Sequence, residues 1–157
     1  MDPNTVSAFH LPRYPEIPDV GLYLKQVVKY INDIFSPLGL PEITASMISN
    51  YVKQGLIDKP VRKQYDRTLI AKIIVVAFTK SILTMDDIRS FSSLLFDGEP
   101  FDRAYDDFCA LAENALTEVM RINEDNMTQR DGLIHAVVRA ASRQVYLNDA
   151  FHQLSHG

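Results

Sequence analysis

The sequence predicts an all-α fold that closes with a C-terminal helical pair. Three observations predict it. Apolar residues recur three or four positions apart along most of the chain, the spacing that lines one face of a helix. Thr84–Asp87 and Thr128–Asp131 each have the Ser/Thr-x-x-acid form that opens helices. Hydrophobic residues make up 46% and charged ones 23% of 157 residues, enough to bury one core and too apolar for a disordered chain.

Residues 1–18 hold Pro3, Pro12, Pro15 and Pro18, a density that prevents a helix and favours an extended arm. Phe9, Leu11 and Tyr14 between the prolines predict that the arm packs on the body or on a partner chain. Val20, Leu24, Val27, Val28, Ile31 and Ile34 predict a first helix from Asp19 to Phe35, capped by Asp19 and ended by Pro37, Gly39 and Pro41. After Thr44, a short helix puts Met47, Ile48, Tyr51 and Val52 on one face. Ser46, Ser49, Asn50, Lys53 and Gln54 fall on the other. Gly55 stops it, because glycine enters the left-handed conformation without penalty.

A segment containing Pro60 follows, with Lys59, Arg62, Lys63 and Arg67 around Tyr65. The apolar run Ile73–Phe78 reads equally well as a buried strand or a helix. Lys72 and Lys80 bracket it at a spacing that keeps both near a helix surface, which favours the helix. Thr84 opens the next helix, which ends near Asp97 and Gly98; Pro100 then suits the first turn of another. That helix carries Phe101, Tyr105, Phe108, Leu111, Ala112, Ala115, Leu116 and Val119 as its apolar stripe. A polar break at Asn123–Asn126 leads to a last helix reaching about Leu154, with the stripe Ile134, Val137, Val138, Ala141, Val145, Leu147, Phe151 and Leu154.

Net charge is −4, which alone argues against nucleic acid, but its distribution reverses the argument. Residues 44–80 hold seven Lys/Arg against two acids, leaving nine bases and eighteen acids elsewhere. A basic segment in an acidic chain focuses attraction for phosphate on one surface. A short helix with a hydrogen-bonding outer face, followed by a basic hook, suits a DNA groove and its phosphates. Ser46, Ser49, Asn50 and Lys53 are the candidate groove-side residues, Lys59, Arg62, Lys63, Tyr65 and Arg67 the candidate backbone contacts, and Tyr51 is a candidate core residue whose hydroxyl reaches a phosphate. Asn50 has the donor–acceptor pair that reads adenine.

Other chemistries find little support. The single Cys109 excludes an internal disulfide and Cys-rich zinc motifs, and its apolar neighbours predict a buried thiol. His152 and His156 have the four-residue spacing of a two-His metal pair but no third ligand nearby, so no metal is assigned. Asp97, Glu99, Asp102, Asp106 and Asp107 lack calcium-loop spacing. No Gly-rich phosphate loop, nucleophile elbow or Cys–His pair supports a catalytic site or a cofactor, and the expectation is that this is not an enzyme. No stretch of about 20 apolar residues and no signal architecture is present, so a cytoplasmic protein without membrane contact is expected, in which the Asn126-Met127-Thr128 sequon has no meaning.

The segment from Ile43 to Arg67 resembles the reading head of the MerR-like winged helix-turn-helix family. Tyr51, Gly55, Leu56, Ile57, Pro60 and Tyr65 fall where that family has its Tyr, Gly-Leu-Leu, Pro and wing Tyr. Leu83-Thr84-Met85-Asp86-Asp87-Ile88 looks like its Phe-Ser-Leu-Glu-Glu-Ile. The chain departs from the pattern at Ser49, where the family has Arg, at Ile82, where it has Gly, and in its longer first helix. It resembles still more closely a bacterial domain family labelled only as of unknown function, whose members join such a head to a helical tail. The resemblance implies three regions: an extended arm (1–18), a winged helix-turn-helix (19–98) and a C-terminal helical region (99–157) for dimerisation or ligand sensing. It implies a bacterial transcriptional regulator, a homodimer on double-stranded DNA that answers to a small-molecule effector, with residues 44–54 in the major groove and a basic wing (58–67) on phosphates. The competing expectation is a protein-interaction module that keeps a helix-turn-helix shape without a DNA role, favoured by Ser49 and the −4 charge.

Overall fold

The chain builds its core around one helix that is apolar on all sides but the one bearing Thr68 and Lys72. In a computed structural model, which describes residues 5–6, 8–124 and 128–157, that helix is α3, Arg67–Thr79. It follows α1 (Leu24–Phe35) and α2 (Ala45–Lys53), and precedes α4 (Met85–Phe96), α5 (Phe101–Glu124) and α6 (Gln129–His156). Short 3₁₀ turns lie at Tyr14–Glu16 and Ser36–Leu38. Among the described residues no strand forms beyond two isolated bridges, so the all-α expectation holds.

The ambiguous apolar run is helical because Asp66 starts it and its surroundings bury it. The Asp66 carboxylate accepts from the Leu69 backbone N–H at 2.8 Å. Ile70, Ala71, Ile73 and Ile74 are each 0% exposed, and α1, α4 and the Tyr14–Glu16 turn pack around them. A helix apolar over most of its circumference must be covered over most of it. Each fully buried Ile contributes roughly 1.5–3 kcal/mol of transfer free energy. Thr84 and Thr128 cap α4 and α6 as expected, accepting from the backbone N–H of Asp87 and Asp131.

The arm packs on the body, as its apolar residues predicted. Phe9, Leu11 and Ile17 are buried, and one apolar cluster runs from Phe9 to Ala112, across the expected region boundaries at 18 and 98. Proline removes backbone donors, and α5 side chains satisfy two of those that remain, Leu11 and Tyr14. Glu113 accepts from the Leu11 N–H at 2.7 Å and Asp106 from the Tyr14 N–H at 2.7 Å, while the Tyr105 hydroxyl donates to the Pro12 carbonyl at 2.7 Å. Arg13 closes the latch with a two-pronged pair to Glu113 at 2.9 and 2.8 Å. Burial works against the Glu113 charge, yet the hydrogen bonds from Arg13 and Leu11 hold its pKa below the ordinary value. Cys109 is buried, and desolvation pushes its thiol up to about 11, so it is an inert packing residue.

Two expectations need correction. The first helix begins at Leu24, not Asp19. Gly21 has φ +76° and Val20 is exposed, while Leu22 forms an antiparallel bridge with Tyr65 through hydrogen bonds of 3.0 and 2.8 Å. The second concerns the C-terminal stripes. Leu111 and Val119 on α5, and Ile134, Val137, Val138, Val145 and Leu154 on α6, are exposed; on α6 only Gly132 and Phe151 are buried. The periodicity identified the helix without identifying what covers its apolar side. Helix α5 runs on to Glu124, past the expected start of the polar break; Asn126 and Met127, with most of the sequon, lie outside the described residues, as does Pro3 of the arm. No described helix is long and apolar enough to cross a membrane.

Candidate nucleic-acid interface

Helix α2 is short because signals at both ends define it. Thr44 Oγ1 accepts from the Met47 N–H at 3.1 Å. Gly55, at φ +77°, ends it, and the Leu56 and Ile57 N–H groups turn back to the Tyr51 carbonyl at 2.9 and 3.3 Å. Ile48 and Tyr51 face the core. Ser46, Ser49, Asn50, Lys53 and Gln54 are exposed, the outer face expected from sequence. Asn32 of α1 fixes the approach: its side chain donates to the Ile43 carbonyl at 3.0 Å and accepts from the Ile43 N–H at 2.8 Å. Both hydrogen bonds clamp the residue just before the Thr44 cap, which sets α2 against α1.

The outer face has a neighbour. The Asn50 amide lies 3.9 Å from the Met85 sulfur, and the Arg89 guanidinium donates to the Gln54 carbonyl and pairs with Asp86 at 2.8 Å. The first turns of α4 therefore flank the C-terminal end of α2 and bring the exposed Asp86 beside it.

Beyond Ile57, residues 58–65 form a tight hairpin turn. The Gln64 N–H donates to the Val61 carbonyl at 2.9 Å, with Arg62 at φ +53° and Lys63 at φ +64° between them. Two central residues at positive φ make the primed type of two-residue turn, which favours Asn-Gly. Each non-glycine residue held there costs about 1–2 kcal/mol. Strain at a turn is the kind of feature that marks function. The buried Tyr65 and its bridge to Leu22 hold the turn in place from below, so the tip projects two exposed cations.

The candidate contacts divide into two groups. Lys53, Lys59, Arg62 and Lys63 are exposed and form no ion pair with the described carboxylates. Arg67 does not belong with them: its guanidinium donates to the Ile17 carbonyl at 2.8 Å, lies 3.6 Å from Asp19 and covers the Tyr14 ring. It fastens the arm to α3. Tyr51 and Tyr65 are core residues at 6% and 4% exposure, and burial raises both phenol pKa values. Lys72, which contributed to the basic segment, pairs with Asp58 at 3.5 Å.

The two sides of the hairpin differ in charge. A hollow of about 630 Å³ on one side is lined by Lys59 and Arg62 together with Asp19, Asp58 and Asp66. The other, of about 460 Å³, has an apolar floor of Leu24, Pro60 and Tyr65, with Tyr23, Lys25 and Lys63 around it and no carboxylate. Lys25 is a candidate that sequence reading missed. It lies in the first turn of α1, where the positive end of the helix dipole disfavours a cation by a few tenths to about 1 kcal/mol. That misplacement is a legible signal only once the helix is known to start at Leu24. Among the described residues no three His, Cys, Asp or Glu side chains converge as a metal site; the His152 and His156 rings lie 4.2 Å apart at the end of α6.

Residues 12–108 match a family described as a domain of unknown function (DUF1836). The match spans more than half of the chain, from the arm to the first turns of α5, and the chain belongs to this family. No curated protein and no solved structure matches it.

Proposed function

We propose that this member of the family binds duplex DNA as a bacterial transcriptional regulator, with a helix-turn-helix and wing related to the MerR-like head. Helix α2 enters the major groove, Ser46, Ser49, Asn50 and Lys53 facing base edges and nearby phosphates. The hairpin holds the backbone through Lys59, Arg62 and Lys63, with Lys25 beside them. The observation that carries this reading is the strained turn at Arg62 and Lys63, which presents two exposed cations, unpaired among the described residues, where glycine would be less strained. A negative chain overall does not oppose it, since phosphate is attracted by local potential.

Binding of duplex DNA at increasing salt tests the reading. Each phosphate neutralised steepens the log–log slope by about 0.9. The five exposed cations Lys25, Lys53, Lys59, Arg62 and Lys63 give an expected slope of roughly −4 to −5. A flat slope, or no binding at low salt, removes the proposal.

A protein-interaction module is the second reading. Asp86, with its side chain 93% exposed, stands beside the C-terminal end of α2 and repels phosphate there. Pull-down from lysate with and without nuclease separates the two readings. A protein partner retained after nuclease, with no DNA recovered, supports the module.

A further inference from the structure

The hollow on the Lys63 side of the hairpin has an apolar floor that nothing in the chain covers. Leu24, Pro60 and Tyr65 form the floor, and Tyr23 beside them is 54% exposed. Its walls are the first turn of α1 and the hairpin, and both are fixed before anything binds. The backbone bridge between Leu22 and Tyr65 ties them at 3.0 and 2.8 Å, and the Gln64 side-chain amide donates to the Tyr23 hydroxyl at 3.3 Å. An entering group finds a preformed seat, which lowers the ordering cost of binding.

Charge and shape select the occupant. Lys25 stands on the α1 wall and Lys63 on the hairpin wall. Both are exposed, and neither pairs with a described carboxylate. No Asp or Glu lines this hollow, whereas Asp19, Asp58 and Asp66 line the one across the hairpin. The positive end of the α1 dipole adds to the same potential. The seat therefore calls for an apolar group with anions beside it. A small-molecule site encloses most of its ligand, and this hollow lies open along the surface. A duplex offers phosphates to the lysines but keeps its bases stacked inside, which leaves the floor bare. An acidic protein segment with one aromatic or aliphatic side chain among its carboxylates satisfies the floor and both lysines at once.

We propose that the hollow between α1 and the hairpin docks an acidic segment of a partner protein, one apolar anchor residue resting on Leu24, Pro60 and Tyr65 and flanking carboxylates meeting Lys25 and Lys63. The inference goes beyond the DNA reading and is tested without nucleic acid, so either can fail alone. Lys63 is common to both, so a docked segment takes one cation away from DNA.

Selection of short random peptides displayed against the full chain tests it. Enriched peptides are expected to carry Phe, Trp or Leu with Asp or Glu close on either side, and to bind the free chain at micromolar concentrations, more weakly as salt rises. The double substitution Lys25→Glu, Lys63→Glu is expected to weaken that binding by roughly tenfold or more. Tyr23→Ala should weaken it without altering its salt dependence. The charge-matched control Arg139→Glu, Arg143→Glu, on exposed positions of α6, should leave it within about threefold. Circular dichroism establishes that each variant is folded. A selection that enriches no acidic peptide binding more tightly than about 1 mM overturns the proposal. So does a peptide whose binding survives Lys25→Glu, Lys63→Glu, or one that the control weakens equally. Displacement of the peptide by equimolar phenylacetate would give the hollow to a small anion and overturn it too. A duplex that loses affinity on Tyr23→Ala, with no peptide enriched, would give it to nucleic acid.

Discussion

Replacing Lys63 by glycine should strengthen the fold and weaken the proposed function at once. Lys63 sits at φ +64°, where a side chain costs about 1–2 kcal/mol and glycine costs nothing. Glycine's greater freedom in the unfolded chain returns roughly 0.5–1 kcal/mol of that gain. The Lys63 side chain is exposed and unpaired among the described residues, so little else is lost. The net effect is a stabilisation of up to about 1.5 kcal/mol, or a rise in Tm of up to roughly 6 °C for a chain of this size. DNA binding should move the other way, the salt slope becoming shallower by about 0.9 as one phosphate contact goes. Thermal melts followed by circular dichroism and fluorescence anisotropy of a labelled duplex across a salt series measure the two effects. Lys29→Ala serves as the control, since Lys29 is held by Asp33 at 2.7 Å on the exposed side of α1 and should leave the slope unchanged. A destabilised Lys63→Gly would refute the strain argument. A stabilised variant with unaltered slope would refute the role assigned to the tip.

Glu113→Gln should destabilise the chain by about 2 kcal/mol at neutral pH, because it removes the charged partner of Arg13 in a half-buried latch. The folded pKa of Glu113 is depressed, so its contribution is complete above the ordinary carboxylate value near 4.3 and disappears as pH falls through the folded value. The Tm gap between wild type and variant, measured from pH 7 down to pH 3, should therefore narrow at the acid end; a constant gap would show that the charge does not act there. Gly55→Ala should cost about 1 kcal/mol in urea unfolding, entirely through backbone strain, since a Cβ at that position meets nothing within 4 Å. Equal stability would mean that α2 can end without a left-handed residue. Asn50→Ala should leave stability and salt slope nearly unchanged while relaxing preference at one base position, as read by selection from randomised duplexes.

What was legible in the sequence is what local chemistry decides. Thr44 and Gly55 bound α2 because a side-chain cap and a left-handed stop act within a few residues. The outer row Ser46, Ser49, Asn50 and Lys53 followed from helical spacing alone. The start of α1 was not legible, because Leu22 is held extended by Tyr65, far along the chain. Arg67 looked like a free cation for the same reason: its partners Ile17 and Asp19 come from the arm. Apolar periodicity placed α5 and α6 correctly but could not distinguish a stripe packed inside the chain from one left outside, and most of the α6 stripe is outside. Lys25 escaped notice because its place in the first turn depends on that same long-range bridge.

The central claim is that α2 and the hairpin tip meet DNA, and amide chemical-shift mapping on addition of a duplex tests it most directly. The largest shifts should fall on residues 44–54 and 59–64 and on Lys25, with the buried α3 amides little changed and the response fading as salt rises. Shifts concentrated on α5 and α6, or none at low salt, would contradict it.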